Sequence, residues 1–481
     1  MMDKYFIGRE EEKEILRDAL QSHEAEMVAV IGRRRVGKTF LIKSVYKNQL
    51  VFEVTGLQNA SKKEQLENFV LQLAEASGAV LPIQTPSSWL QAFALLIKWL
   101  KQVIEEDNKK VVFLDELPWM ATHKSGFLSG LSYFWNSWAV NQNIVVVICG
   151  SAASWMIRKV VNNRGGLYNR ITKRIYLAPF TLAETEEYLK ARNIYIDRYQ
   201  ITQLYMALGG IPHHLKEVKK GKSATQNINQ ICFSKNGLLR DEFLRLYPSL
   251  FANAEHHMAV IRALATKHQG ITRKEINQLS KVPMGGSTSR TLEELVHSGF
   301  ISTYRPYGKK KKETHYRLTD EYSLFYLKFI EGKEYEGKNI WHHLNQTQTY
   351  ISWSGYAFES ICLKHIPQIK KALKIEGIFS LSSVFSHKGS KNEKGTQIDL
   401  LIDRKDQVIN LFEIKYYNEP FVLSKSYTEN LKNKAAIFKK ISKTNKQLFL
   451  VFIAPFGVKQ NEHSLRLIDQ ILKIDALFLK E

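Results

Sequence analysis

The eight residues Gly32-Arg33-Arg34-Arg35-Val36-Gly37-Lys38-Thr39 constrain this chain more than any other stretch. They satisfy the pattern G-x-x-x-x-G-K-[ST]. Its glycines let main-chain amides curl round phosphate oxygens at a helix N-terminus, where the helix dipole favours anions. An apolar run at residues 27–31 precedes the loop, and residues 38–48 read as a helix. Strand, loop and helix in that order are the context that separates a working phosphate cradle from a chance match. Lys38 is expected to reach the β- and γ-phosphates, and the Thr39 hydroxyl to ligate a metal ion. Arg33, Arg34 and Arg35 add positive potential, because the cradle itself needs only backbone. The pattern predicts ATP and Mg²⁺ as cofactors.

Further apolar runs at 50–55, 111–114, 144–148 and 175–177 alternate with helical segments. Such alternation predicts an α/β fold, a parallel sheet covered on both faces. Asp115-Glu116 closes the third run, at the carboxyl end of a strand, where ligands bind in such sheets. Asp115 is expected to hold the Mg²⁺ shell, and Glu116 to orient or deprotonate the attacking water. Ser151 ends the fourth strand, where a polar group would sense the γ-phosphate. Arg170 is a candidate for stabilising transition-state charge, in cis or from a neighbouring subunit of a homo-oligomer.

Phe6-Ile7-Gly8-Arg9-Glu10, the loop at 32–39 and the apolar run ending in Asp115-Glu116 together resemble the archaeal-type ATPase family, within the AAA+/STAND group of P-loop ATPases. Leu208-Gly209-Gly210-Ile211-Pro212 resembles the lid motif of that family. The resemblance implies that Phe6, Ile7, Gly8 and Pro212 line the base and ribose pocket. Where the family commonly shows Tyr-Gly-Arg, this chain has Tyr168-Asn169-Arg170.

Past residue 225 the character changes. A helix beginning near Thr272, a turn at Pro283-Met284-Gly285-Gly286, a helix over 287–298 and two strands at 300–304 and 314–318 give the order of a winged helix-turn-helix. Ser287, Thr288, Ser289 and Arg290 open the second helix, and Lys309 to Lys312 tip the hairpin. The 481 residues carry a formal charge of +22 and a pI near 9.6. A balance this basic suits a polyanionic partner, and DNA is the expectation.

The last segment holds Asp399 at the start of one strand and Glu413-Ile414-Lys415 at the end of the next. Side chains alternate along a strand, so Glu413 and Lys415 share a face, and Asp399 is placed to share a divalent ion with Glu413. Lys415 would polarise the phosphate or the water. These residues resemble the PD-(D/E)xK nuclease core, with Glu359 matching its upstream helical acid.

The expected domains are a P-loop core at 1–175, a helical lid at 176–225, the winged helix at 226–335 and an α/β restriction-endonuclease-like domain at 345–481, with a linker near 335–350. No apolar run reaches the roughly 20 residues of a membrane span, and the N-terminus lacks a signal layout, so a cytoplasmic protein is expected. The three cysteines are far apart and suit neither a disulfide framework nor a zinc site. The expected function is ATP hydrolysis coupled to DNA binding and metal-dependent DNA cleavage. The alternative is a signalling NTPase switch whose nuclease-like domain is catalytically inactive.

Overall fold

The computed structural model describes residues 6–79, 83–105, 107–162, 167, 169–283, 285–310, 313–389 and 395–480. Tyr168, Met284, Lys311 and Lys312 lie outside the described residues. The chain divides into two compact units, Met1–Pro179 and Phe180–Glu481.

The first unit is built on strands β1 (Glu26–Ile31), β2 (Leu50–Thr55), β3 (Lys110–Asp115), β4 (Ile144–Gly150) and β5 (Lys173–Tyr176). They form one parallel sheet in the order β2-β3-β4-β1-β5. Every residue of β1 and β4 is buried, as a strand covered on both faces requires. The register sets Ile31 beside Gly150 and Leu114 beside Ile148, so the carboxyl ends of β1, β4 and β3 lie together. Phe134, Trp135 and Trp138 of the aromatic-rich stretch pack in the core of this unit.

The second unit begins with helices Leu182–Ala191 and Arg198–Leu208. Just past the second of these, Gly210 lies so close to Phe180 that an added Cβ would sit 2.0 Å from its carbonyl oxygen. Only glycine fits there. Next come helix Ala254–Ala265, β6 (Ile271–Thr272), helices Arg273–Ser280 and Gly286–His297, then the hairpin β7 (Ile301–Tyr304) and β8 (His315–Leu318). The Thr272 hydroxyl caps the helix it precedes, accepting from the Glu275 amide, while the Glu275 side chain returns to the Thr272 amide.

Helix Gln348–Lys364 then leads into β9 (Ser380–His387), β10 (Thr396–Arg404) and β11 (Val408–Ile414), followed by helix Lys425–Ser442, β12 (Gln447–Ile453) and β13 (Gln470–Leu472). The sheet runs β13-β12-β11-β10-β9, antiparallel from β9 to β11 and parallel beyond. The expected linker near 335–350 is packed instead. Trp341 is buried and stacks on Phe233 with ring centroids 5.6 Å apart, and one aromatic anchor of that area is enough to fix a short segment. No helix among the described residues is long and apolar enough to cross a membrane.

Candidate functional site

At the carboxyl edge of the first sheet the loop 32–37 turns between β1 and helix Lys38–Val45. Arg35 and Gly37 both take positive φ, at 71° and 97°. A Cβ on Gly32 would stand 2.5 Å from the Leu177 carbonyl oxygen, so this position is closed to any side chain. Lys38 is buried, and its Nζ donates to the carbonyls of Gly32 (2.9 Å) and Arg33 (3.0 Å). The ammonium thus sits on the inner rim of the loop, held by acceptors that a phosphate would replace. Arg33 and Val36 are buried, and Arg34 and Arg35 are half-buried.

The two halves of the site meet directly. The Thr39 hydroxyl donates to Asp115 Oδ2 at 2.7 Å, although 76 positions separate them. Asp115 Oδ1 accepts from the Glu116 amide at 2.9 Å, and Glu116 takes a left-handed backbone with φ 46°. That turn aims the Glu116 side chain at Ser151, whose amide and hydroxyl both donate to Glu116 Oε2, at 3.1 and 2.8 Å. Ser151 therefore holds the carboxylate expected to handle water. Phe6 packs edge-to-face on Phe40 of the following helix, with centroids 5.7 Å apart. Ile7 and Gly8 are half-buried beside it in sequence, and Gly8 has φ 66°.

Arg170 stands apart from these residues within one chain. It lines a cleft with Glu24, Ala25 and Asn143, at the edge where β1 begins, and Thr172 just after it bonds Met27. The loop at 32–39 leaves the opposite end of β1, so Arg170 does not join Lys38 and Glu116 within one chain. Pro212 opens the short helix Pro212–Leu215 of the second unit.

Group fit follows from these contacts. The glycine-lined loop, the displaceable Lys38 contacts and the adjoining Thr39 and Asp115 oxygens suit a nucleotide triphosphate with Mg²⁺, which takes few protein ligands beside phosphate and water.

In the second unit, β10 and β11 set Leu400 opposite Phe412, which puts Asp399 and Glu413 on neighbouring positions one step further along. Both are buried. Asp399 Oδ2 accepts from the Ile414 amide at 3.3 Å. Glu413 is crowded by cations: Lys415 Nζ stands 2.9 Å from Oε1 and Lys434 Nζ 2.7 Å from Oε2, and the Tyr427 hydroxyl donates to Oε1. Burial pushes the Glu413 carboxyl up, but the two lysines outweigh it and hold its pKa below the usual range. Burial and the neighbouring Glu413 charge raise Asp399 to about 6. Burial, then Asp399, raise Glu359 to about 8, against the opposing charges of Lys415 and Arg317. Three carboxyls thus lie within electrostatic reach of one another, with Lys415, Lys434 and Arg317 opposing their charge. Among the described residues, though, no three His, Cys, Asp or Glu side chains converge to hold a metal. Asp399 and Glu413 fit a two-carboxylate Mg²⁺ site, and such a site requires Glu413 to release a lysine.

Sequence reasoning missed Tyr427, Lys434 and Arg317. The first two lie seven positions apart with Leu431 between them, on one face of a helix whose docking partner the sequence does not give. Arg317 on β8 lacks even that spacing.

The helix-turn-helix face offers less than its sequence suggests. Thr288 is fully buried and its hydroxyl donates to the Pro283 carbonyl at 2.7 Å. Ser289 bonds Gly285, Arg290 pairs with Glu294 at 2.9 Å, and Lys309 pairs with Glu313 at 3.2 Å. The hairpin also leans on β9: the Tyr307 amide donates to Val384 O at 2.8 Å, and the Ser383 hydroxyl to Arg305 O at 2.6 Å.

Comparison with known proteins bears on the first unit and on part of the second. Residues 6–218 match the family described as an ATPase domain predominantly from Archaea. An uncharacterised protein of Methanocaldococcus jannaschii is 22% identical over 418 residues, covering 85% of this chain and 87% of its own. An uncharacterised ATP-binding protein of the same organism is 41% identical over 46 residues, which is 10% of this chain and 78% of that one. Among solved structures, a Walker-type ATPase of Pyrococcus abyssi aligns at 15% identity and TM-score 0.48, covering 67% of this chain and 96% of its own. The ORC2 protein of Aeropyrum pernix, solved with ADPNP and ADP, aligns at 17% identity and TM-score 0.42, covering 68% and 95%. Residues 6–218 are thus similar to this family of ATPase domains.

Proposed function

We propose that the chain hydrolyses ATP to drive a switch that acts on DNA, and that its second acidic site cleaves phosphodiester bonds. The observation that carries the ATPase half is the Thr39–Asp115 hydrogen bond, which joins the two motifs into one metal-binding corner. Lys38 leaves the Gly32 and Arg33 carbonyls to pair with the terminal phosphates, and the amides of 33–39 hold the rest of the chain of phosphates. Bound Mg²⁺ supplies charge neutralisation at the phosphate oxygens. Glu116 orients the attacking water and takes its proton, and Ser151 sets where that carboxylate stands.

At the second site, Asp399 and Glu413 hold the divalent ion, and Lys415 steadies the phosphate oxygen or the water. Glu359 lies within electrostatic reach of them, its pKa raised by burial and by Asp399. The rival reading, a regulatory NTPase with a silent nuclease-like domain, is favoured by one observation: both Glu413 oxygens are already engaged by lysines.

An ATPase assay with and without DNA, run beside a DNA-nicking assay in Mg²⁺ or Mn²⁺, tests both halves. Stimulated turnover and Asp399-dependent nicking are expected. Turnover indifferent to DNA, with no nicking, would hand the case to the regulatory switch.

A further inference from the structure

The formal charge of +22 has to reside somewhere, and on the expected DNA-reading face Arg290 and Lys309 are paired with Glu294 and Glu313. A cleft of about 900 Å³ in the second unit behaves differently. One wall is the segment around 222–240, carrying Lys222, Lys235 and Arg240; the other is the segment 330–342, carrying Lys333, Lys338 and His342. No Asp or Glu lines it among the described residues, and none of its lysines nor Arg240 forms an ion pair there. Glu331, next to this wall, is taken up by Arg262 at 2.8 Å. Glu334 and Glu336 flank the wall without lining it.

The walls are also fixed in place. The Trp341 amide donates to Asn229 Oδ1 at 2.9 Å, its ring stacks on Phe233, and Lys222 Nζ donates to Gln230 Oε1 at 2.6 Å. Facing cations held apart by a rigid frame repel one another unless an anion lies between them. Holding them in advance also lowers the ordering penalty when such an anion binds. Half-buried Tyr335, packed on Phe233, adds an aromatic surface on the 330–342 wall. Phosphates in series, with sugar or base against an aromatic ring, are the chemistry this lining recognises.

We propose that this cleft takes the sugar–phosphate backbone of DNA, and that it, rather than the helix-turn-helix face, supplies the main electrostatic contact. The proposal rests on the DNA-binding reading given above.

The test is fluorescence anisotropy of a short labelled duplex with the full chain, titrated over a range of NaCl. The variant Lys235→Gln/Arg240→Gln/Lys333→Gln/Lys338→Gln changes only exposed side chains. It is expected to bind roughly tenfold or more weakly, with a log–log salt slope shallower by about 3. Lys333→Glu/Lys338→Glu, confined to one wall, is expected to move both readouts in the same direction, so the test survives if the larger variant misfolds. Wild-type affinity and slope in both variants, with binding instead lost in Lys309→Glu/Lys310→Glu, would overturn the cleft and leave DNA binding standing. No binding by the wild type would overturn both readings. Displacement of DNA by inorganic phosphate well beyond that by chloride at equal ionic strength would mark a small-anion site and overturn the backbone assignment.

Discussion

Glu116 and Glu413 are each the carboxylate on which a proposed reaction depends, and they are held in opposite ways. Glu116 is tethered by neutral donors, the Ser151 amide and hydroxyl. Glu413 is gripped by two ammonium groups and a phenol. A hydrogen bond from a neutral donor to a carboxylate contributes about 1.5–3 kcal/mol net, whereas removing one partner of a buried charge pair costs about 3–5 kcal/mol. The first carboxylate is free to change partners during turnover. The second changes partners only when something of comparable charge arrives. Under the proposed function, the first arrangement suits repeated cycling and the second suits release by a cation or a phosphate-bearing substrate.

Breaking the first site gives the largest effects. Lys38→Ala should weaken Mg-ATP binding by about a hundredfold or more, read by calorimetry, because the buried ammonium is the charge that the loop brings to the terminal phosphates. Glu116→Gln should bind Mg-ATP within about twofold of wild type yet turn over roughly a thousandfold more slowly, since it removes the proton acceptor and leaves the cradle intact. At the second site Asp399→Ala should lower nicking by about a hundredfold in Mn²⁺ with ATP turnover unchanged. Nicking that persists in that variant would remove the nuclease half and erase the contrast between the two carboxylates.

Acid should tell the two units apart next. His365 is buried, and its Nε2 accepts from the Leu182 amide at 3.1 Å while Nδ1 donates to the Ile361 carbonyl at 2.8 Å. Burial holds its pKa down from 6.5 to about 4, against the Ile361 contact. The folded state therefore binds fewer protons than the unfolded one. Stability is full above about pH 6.5 and drains away toward pH 4, by about 3 kcal/mol for a shift of this size. Hydrogen exchange in helix Leu182–Ala191 should rise over that window. His365→Gln should flatten the dependence, and an equally steep profile in that variant would place the proton elsewhere.

How legible each site was depends on how local its chemistry is. The nucleotide loop is eight consecutive residues acting through backbone amides, and Asp115-Glu116 ends an apolar strand, so pattern and context sufficed. Asp399 and the Glu413–Lys415 pair were reachable because period two fixes which strand residues share a face. Lys434 was not, because it meets Glu413 across 21 positions from a helix whose docking face only packing decides. The same limit hid which edge of the sheet Arg170 occupies. β9 escaped for a different reason: Ser380, Ser382, Ser383 and Ser386 carry little strand propensity, and the strand exists because β10 offers it a hydrogen-bonding edge. The segment expected to be a linker held Trp341, and a single tryptophan gives no periodic signal.

The smallest effect sharpens the comparison most. Ser151→Ala removes one of the two donors on Glu116 Oε2 and leaves the backbone amide in place. If the serine positions the carboxylate for water, turnover should fall by about tenfold, the equivalent of one hydrogen bond to a charged group, with Mg-ATP affinity unchanged. If the serine instead restrains Glu116 away from the water, the same change should raise turnover. Ser151→Thr keeps the hydroxyl and should restore the wild-type rate in the first case. The counterpart is Lys434→Met, which frees one Glu413 oxygen from an ammonium and should tighten Mn²⁺ binding severalfold in a calorimetric titration. Opposite signs in the two experiments, loss at Glu116 and gain at Glu413, are what a neutral positioning tether and a charged lock require of these two glutamates.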